Sequence, residues 1–551
     1  MHGAAIAAEE VAPVSETLTT AALVAKYLKE AGIGAIFGYP GDPNLDFMEA
    51  ARLEGIDFVL ARREGTAAFM ADAYGQLTGL PGVCMSTLGP GSTNLVNGVA
   101  NAFLDRTPML ALSGQMGTRL EPTFTHQNID HLRLFAPVSK WATRMVPEAA
   151  GSILRKAFRV ATAERPGPVH LTMPIDVSAA RAGDAALRLP PLAPAASWTE
   201  ASAVPGAAEP LAALRAARRP ILLAGMAAKR QKAGPALRHL AETLGAPVVV
   251  SPKAKGTLAE DHPAFAGTID MACNGFLWNF LGGADLILAI GFDAVELIKS
   301  WRLTTPVIHI DAVPNTDQVY PADLELVGSI PAILEALAAG YSGGAKWRDA
   351  EIAAHRRELK RLYYEGRVAG RLNPTDVVDA VREASPRSTL ITMDVGSHKI
   401  LVGQGWTAYE PNSVLLTNGL SAMGFALPGA MTAKYLEHDR PVVCFTGDGG
   451  FAMVQGELQL AAELGLGLIV VVFCDGSLNR IEIKQLAKQY ASTGTRFETG
   501  DLVKLAEAMG CHGLRAEDAA SLQKAVESGQ ALDRPLVIAA MIDPAQYSSQ
   551  F

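Results

Sequence analysis

Short apolar runs alternate with helix-like stretches from one end of this chain to the other, and no other feature constrains the fold as much. The runs include GIGAIFGYPG (32–41), PMLALSG (108–114), PILLAG (220–225), LILAIGF (286–292), TLITMDVG (389–396) and PVVCFTGDGG (441–450). They lack the polar alternation of a half-solvated strand, as strands buried on both faces do. Between them lie Ala/Leu/Glu-rich stretches such as TAALVAKYLKEAG (20–32). Repeated βα units of this kind build parallel sheets covered by helices. The expected class is α/β. At roughly 100–200 residues per domain, 551 residues predict three doubly wound parallel-sheet domains.

Two stretches punctuate the pattern. Residues 182–207 are rich in Pro, Ala and Ser without a clear period. Residues 340–372 open with GYSGGAKW and continue as a charged, helix-like run. They divide the chain into a flexible tail (1–16), a first domain (17–182), a central domain (207–340) and a last domain (360–551). The first and last thirds read as possible structural siblings.

Bulk properties exclude several functions. A chain 49% hydrophobic and 19% charged can bury large cores. A net charge of −8 argues against nucleic acid as a partner, because phosphate neutralisation needs a basic face. The longest apolar stretch, LGLGLIVVVFC (464–474), is too short to span a bilayer and fits a buried strand. The first twenty residues lack the basic start of a secretory signal. Cys84, Cys273, Cys444, Cys474 and Cys511 form no CxxC pair and read as buried free thiols in a reducing compartment. A soluble, cytoplasmic protein is expected.

The sharpest chemical signal is Gly447-Asp448-Gly449-Gly450, directly after the strand-like PVVCFT. A glycine turn between strand and helix presents backbone N–H groups to an anion such as phosphate. Asp448 could then ligate a hard cation bridging that phosphate. Alone, such a tetrapeptide is an ordinary tight turn. Here an amphipathic segment, FAMVQGELQLAAELGLG, and a strand-like LIVVVF follow, and Asp475 lies 27 residues beyond Asp448. A strand–helix–strand unit returns Asp475 to face Asp448 at the carboxyl ends of the sheet, where such sheets bind ligands.

This unit resembles the cofactor motif of the thiamine diphosphate-dependent superfamily of acetolactate synthases and 2-oxo acid decarboxylases. The resemblance implies Asp448 and Asp475 as magnesium ligands, with Ser477 through its carbonyl. Asp475 replaces the asparagine usual there and adds a negative charge beside the diphosphate. GLSAMGFALPGA (419–430) resembles the segment before the glycine turn. Met423 would wedge the cofactor into its bent shape, and the Ser421 carbonyl would hold the aminopyrimidine. Gly396, Ser397 and His398, after TLITM, would meet the diphosphate end. LARREGTAAFMADAYGQLTG (60–79) resembles the segment of the catalytic glutamate, here Glu64, which shares a proton with the pyrimidine ring. Without the resemblance, Met423 would read as core packing and Glu64 as a charge at a helix start. The matches run over about residues 20–551 and imply a pyrimidine-binding, a central and a diphosphate-binding domain.

The resemblance leaves the reaction open. FGYPG (37–41), His126-Gln127 and PVSKW (137–141) look closest to acetolactate synthases. The paired histidines of yeast-type pyruvate decarboxylases are missing from PTFTHQNIDH (122–131), and their acidic residue six positions after the second metal ligand is Ile481, although neighbouring Glu482 could reach the site through a shifted turn. Biosynthetic acetohydroxyacid synthases carry a tryptophan where this chain has Lys484. AIGFDAVELIKSW (289–301) matches their flavin segment poorly, and the central third lacks GxGxxG, so FAD is not expected. A carboligase of acetolactate-synthase type is the leading reading. A decarboxylase or 2-hydroxyacyl lyase, and a non-catalytic relative, are the alternatives. Arg480 and Lys484 share a face if SLNRIEIKQLAKQY (477–490) is helical; they are either a solvated basic face or a sensor for a second substrate carboxylate. The resemblance further implies a 2-oxo acid substrate and a homo-oligomer, dimer or dimer of dimers, with active sites shared between chains.

Overall fold

The structure is a computed structural model that describes residues 18–184 and 206–550. The tail at 1–16 and most of the 182–207 stretch lie outside the described residues.

Each apolar run forms a buried strand. The first sheet contains β1 (Ala35–Gly38), β2 (Asp57–Leu60), β3 (Gly82–Ser86), β4 (Met109–Gln115), β5 (Trp141–Arg144) and β6 (Pro168–Pro174). The second contains β7 (Pro220–Ala224), β8 (Val248–Val250), β9 (Phe265–Thr268), β10 (Leu286–Ile290), β11 (Val307–Asp311) and β12 (Leu324–Val327). The third contains β13 (Leu390–Met393), β14 (Val414–Leu416), β15 (Val442–Gly447), β16 (Ile469–Cys474), β17 (His512–Ala516) and β18 (Leu536–Met541). All pairings are parallel. Apolar content explains the topology: β16, IVVVFC, and β10, LILAI, are buried along their whole length and need helices on both faces.

The first sheet runs β2-β1-β3-β4-β6-β5 and the third β14-β13-β15-β16-β18-β17. These are one strand order, so the two outer units are structural siblings. The central sheet runs β12-β11-β10-β7-β8-β9, the nucleotide-fold order read from the other edge. In the third sheet the order reverses between β13 and β15, and ligands of open α/β sheets bind in the crevice beyond the carboxyl ends at such a point.

The siblings share a core. The helix Glu64–Thr78 begins after extended Arg63 and stops at left-handed Gly79. Its Ala67, Ala68 and Ala71 pack in one apolar cluster with Phe425 and Ala426. Phe69 meets Phe425 edge-on at 5.9 Å. The central sheet has its own core. The charged run after it forms the helix Asp349–Tyr363, which inserts Ile352 into the central core and joins the last domain through Tyr363, whose hydroxyl donates to the Leu401 carbonyl. All five cysteines are free; four are buried and Cys273 is half-buried. Burial raises every thiol pKa, which keeps them protonated and unreactive. Among the described residues no helix is long and apolar enough to cross a membrane.

Candidate active site

The crevice at the third sheet's switch point is built from the ends of β13 and β15. Asp394, just after β13, is fully buried. Its Oδ2 accepts from the Gly424 N–H at 2.9 Å and the Thr446 hydroxyl at 3.3 Å. A Cβ at Gly450 would stand 2.7 Å from that oxygen, so the turn after β15 closes on Asp394 only with glycine there. The His398 ring stacks on Phe473 and presses on Gly396, where a Cβ would come within 2.6 Å of Nδ1. A Cβ at Gly447 would stand 3.2 Å from the same nitrogen. Asp394 Oδ1 and His398 Nε2 are 3.3 Å apart without hydrogen-bond geometry, and both are buried and unpartnered. Ser397 donates to Asn479 Oδ1 at 3.0 Å, tying the crevice to the helix Asn479–Ala487.

Asp448 occupies the neighbouring position, 3% exposed. Its Oδ2 accepts the N–H groups of Asp475 at 3.2 Å and Gly476 at 2.8 Å, and the Thr499 hydroxyl at 2.7 Å. Adjacent strands β15 and β16 thus bring both aspartates to one spot, as their spacing suggested. Asp475 Oδ1 accepts from the Ser477 N–H. Burial, and then the Asp448 charge, push the Asp475 pKa up to about 7. Two crowded carboxylates of this kind suit a hard cation. Among the described residues no group of three or more His, Cys, Asp or Glu could hold a metal ion. Magnesium is commonly held by one or two carboxylates plus phosphate oxygens, so two carboxylates fit a cation that arrives with a diphosphate.

The segment after β14 is tied to the first domain. Asp105 Oδ1 accepts the N–H groups of Asn418 at 3.0 Å and Gly419 at 2.7 Å. Ser421 has φ +57°, a conformation that side chains other than glycine's rarely adopt and that clusters at ligand sites; its hydroxyl donates to the Asn418 carbonyl. Met423 is half-buried and belongs to none of the four apolar clusters. Core packing therefore does not account for it.

The remaining candidates are dispersed. Glu64 opens its helix at 9% exposure, accepts from Asn94 Nδ2 at 3.2 Å and abuts Gly91. His126 and Gln127 are exposed on a loop over that turn: a Cβ at Gly89 would meet the Gln127 carbonyl at 2.7 Å. On the Asn479–Ala487 helix, Arg480 is half-buried while Ile481 and Lys484 are exposed. Arg480 adds to the burial that pushes the Lys399 pKa down to about 8. Glu482 is tied to the Ser477 hydroxyl and the Arg496 guanidinium, each at 2.6 Å.

The model of thiamine pyrophosphate enzymes, N-terminal TPP binding domain, matches residues 18–134; the central-domain model matches 207–337 and the C-terminal TPP binding domain 394–540. The chain belongs to the thiamine pyrophosphate enzyme family. It is 31% identical to an acetolactate synthase of Bacillus subtilis, over 95% of this chain and 93% of the relative. It is also 31% identical to a catabolic acetolactate synthase of Raoultella terrigena, over 95% and 94%, and to a probable 2-ketoarginine decarboxylase of Pseudomonas aeruginosa, over 93% and 92%.

The protein is thus a thiamine diphosphate-dependent enzyme whose two cofactor-binding domains are the structural siblings. Family membership gives meaning to two groups that sequence reasoning missed. Thr499 completes the shell of Asp448 from 51 residues away. Glu457 accepts the Arg62 N–H at 3.0 and 3.1 Å, pinning the chain two residues before Glu64 to the last domain. Neither contact leaves a local pattern.

Proposed function

We propose that this enzyme is a magnesium-dependent carboligase of acetolactate-synthase type, which decarboxylates one 2-oxo acid and joins the remaining fragment to a second carbonyl. The observation that carries the reading is the Asp448–Asp475 pair beside the glycine turn, at the switch point of a sheet in a thiamine diphosphate enzyme. When bound, thiamine diphosphate supplies a carbon nucleophile and electron sink for breaking and forming bonds next to a carbonyl. Asp448, Asp475 and the Ser477 carbonyl hold magnesium. Gly447, Gly449 and Gly450, with Gly396, Ser397 and His398, bind the diphosphate end. Met423 shapes the cofactor and the Ser421 carbonyl orients its amino group. Glu64 holds and returns a proton at the pyrimidine nitrogen. His126, Gln127, Arg480, Ile481 and Lys484 face substrate in the assembled site.

The working unit in this reading is a homo-oligomer, with Glu64 from one copy serving Asp448 of another, and the domains run 17–182, 207–340 and 360–551. Exposed His126 and Gln127 fit residues that face a second copy. Apolar Ile481 favours carboligation over simple protonation, since it withholds the acid that a decarboxylase places there. The alternative, a 2-oxo acid decarboxylase, is supported by the similarity to the probable 2-ketoarginine decarboxylase. Following labelled pyruvate by NMR with the cofactor-loaded enzyme separates the two. Acetolactate supports the proposal; acetaldehyde as the product, with no acetolactate, moves the protein to the decarboxylases.

A further inference from the structure

A short stretch of chain, residues 495–499, lies behind the loop that carries Asp475 and Ser477. The two segments meet antiparallel at a bridge between Ser477 and Arg496. The Leu478 N–H donates to the Thr495 carbonyl at 2.7 Å, and the Phe497 N–H donates to the Gly476 carbonyl at 3.0 Å. Ser477 and Arg496 are therefore a non-hydrogen-bonded pair, whose own N–H and C=O groups point away from the partner segment. The Ser477 N–H is indeed turned to the Asp475 carboxylate, which accepts it at 3.1 Å, and the Ser477 carbonyl is turned to the same side. The stretch thus aims one of the three proposed cation ligands from behind.

Its last residue does the same for a second. Asp448 Oδ2 accepts three donors: the Asp475 N–H at 3.2 Å, the Gly476 N–H at 2.8 Å and the Thr499 hydroxyl at 2.7 Å. A carboxylate oxygen offers about two lone-pair sites, so Oδ2 is taken up by the protein. Oδ1 accepts the Gly449 N–H at 2.9 Å and keeps a lone pair for a cation. Two of the Oδ2 donors belong to the loop that supplies the other ligands, and they move with it. Thr499 does not. Three residues further on, Leu502 opens the helix Leu502–Ala508 and is buried with Ala506 in the core shared by the outer domains. The Thr499 hydroxyl therefore ties the Asp448 carboxylate to fixed structure.

Fixed ligands discriminate between cations. Magnesium demands near-ideal octahedral geometry, whereas calcium accepts six to eight oxygens in flexible arrangements. We infer that Thr499 is a positioning residue that makes this site choose magnesium over calcium. It acts through Asp448, and the inference rests on the reading of Asp448, Asp475 and Ser477 as cation ligands.

The test is calorimetric titration of the full-length, metal-free enzyme, in excess thiamine diphosphate, with magnesium and separately with calcium. Thr499→Val removes the hydroxyl at nearly constant volume. Loss of a group that orients a metal ligand typically costs about 10- to 100-fold in affinity. Magnesium binding should weaken by that factor and calcium binding much less, so the preference for magnesium shrinks about 10-fold. General loosening of the site would weaken both ions alike. Thr499→Ser keeps the hydroxyl and should keep the wild-type preference; Thr499→Ala gives the same comparison if the valine variant does not fold. An unchanged magnesium-to-calcium ratio without the hydroxyl, or a serine variant that loses the preference, overturns this inference and leaves the cation site standing. A wild type without any preference for magnesium overturns it as well. A wild type whose thiamine diphosphate binding ignores both ions overturns the cation reading and this inference with it.

Discussion

Asp105→Ala is the substitution that most tests how the three domains hold the cofactor loop. Asp105 is 2% and Lys253 4% exposed, and they pair at 3.2 Å. Asp105 also takes the Asn418 and Gly419 N–H groups. Lys253 in turn donates to Gln76 Oε1 at 2.9 Å and the Leu416 carbonyl at 3.0 Å. One carboxylate therefore joins the first, central and last domains beneath Ser421 and Met423. Truncation strands a buried ammonium, which costs about 3–5 kcal/mol, and leaves the buried Asn418 N–H without its acceptor, at about 1–3 kcal/mol if nothing relaxes, and the half-buried Gly419 N–H without its own. The contacts share one network, so the sum is not additive, and a loss of about 3–5 kcal/mol is expected. Lys253→Met made together with Asp105→Ala removes the stranded charge and restores about 2 kcal/mol or more. Urea unfolding of the cofactor-free protein measures both, and thiamine diphosphate affinity, which should fall in step as the loop loosens, gives an independent readout. Asp105→Ala unfolding at the wild-type midpoint with wild-type cofactor affinity would refute the argument, as would a double variant no better than the single.

Other consequences are equally concrete. Glu64→Gln keeps size but cannot share the proton, so turnover should drop about 10²- to 10⁴-fold while cofactor binding, read by calorimetry, persists; unchanged turnover means another carboxylate does this work. Burial raises the Glu296 pKa from 4.5 to about 7, so the folded state binds more protons than the unfolded chain between those values and stability falls as pH rises through that window. The wild type should lose up to roughly 3 kcal/mol relative to Glu296→Gln between pH 4.5 and 7.5, at 1.36 kcal/mol per tenfold; parallel urea midpoints across that range would contradict it. Mixing Glu64→Gln and Asp448→Ala chains should regenerate part of the activity through sites with both residues intact, and subunit exchange without recovery would rule out the shared site.

The sequence exposed what local pattern encodes. β13, β15 and β16 are apolar runs ending in turn residues, and the spacing of Asp448 and Asp475 follows from one strand–helix–strand unit. The half-buried Met423, outside every core cluster, is where a core reading of the sequence fails. Its position became legible only through the resemblance, since one methionine in GLSAMGFALPGA has no period of its own. Contacts such as Asp105 to Asn418, 313 residues apart, or Glu457 to Arg62, 395 apart, leave no mark on either segment, because a buried carboxylate far along the chain looks like any surface charge. Arg480 and Lys484 lie on one helix, Arg480 half-buried and Lys484 exposed, but helical spacing alone does not say what that face meets.

The central claim is that Asp448 and Asp475 hold a magnesium ion that secures the diphosphate of thiamine diphosphate. Calorimetric titration of the cofactor-free enzyme with thiamine diphosphate, with and without magnesium, in the wild type and Asp448→Ala, tests it most directly. The account predicts tight binding in the wild type only when magnesium is present, and binding lost in Asp448→Ala whether or not magnesium is added. Binding of equal strength without the cation, or an Asp448→Ala protein that binds as the wild type does, would contradict it.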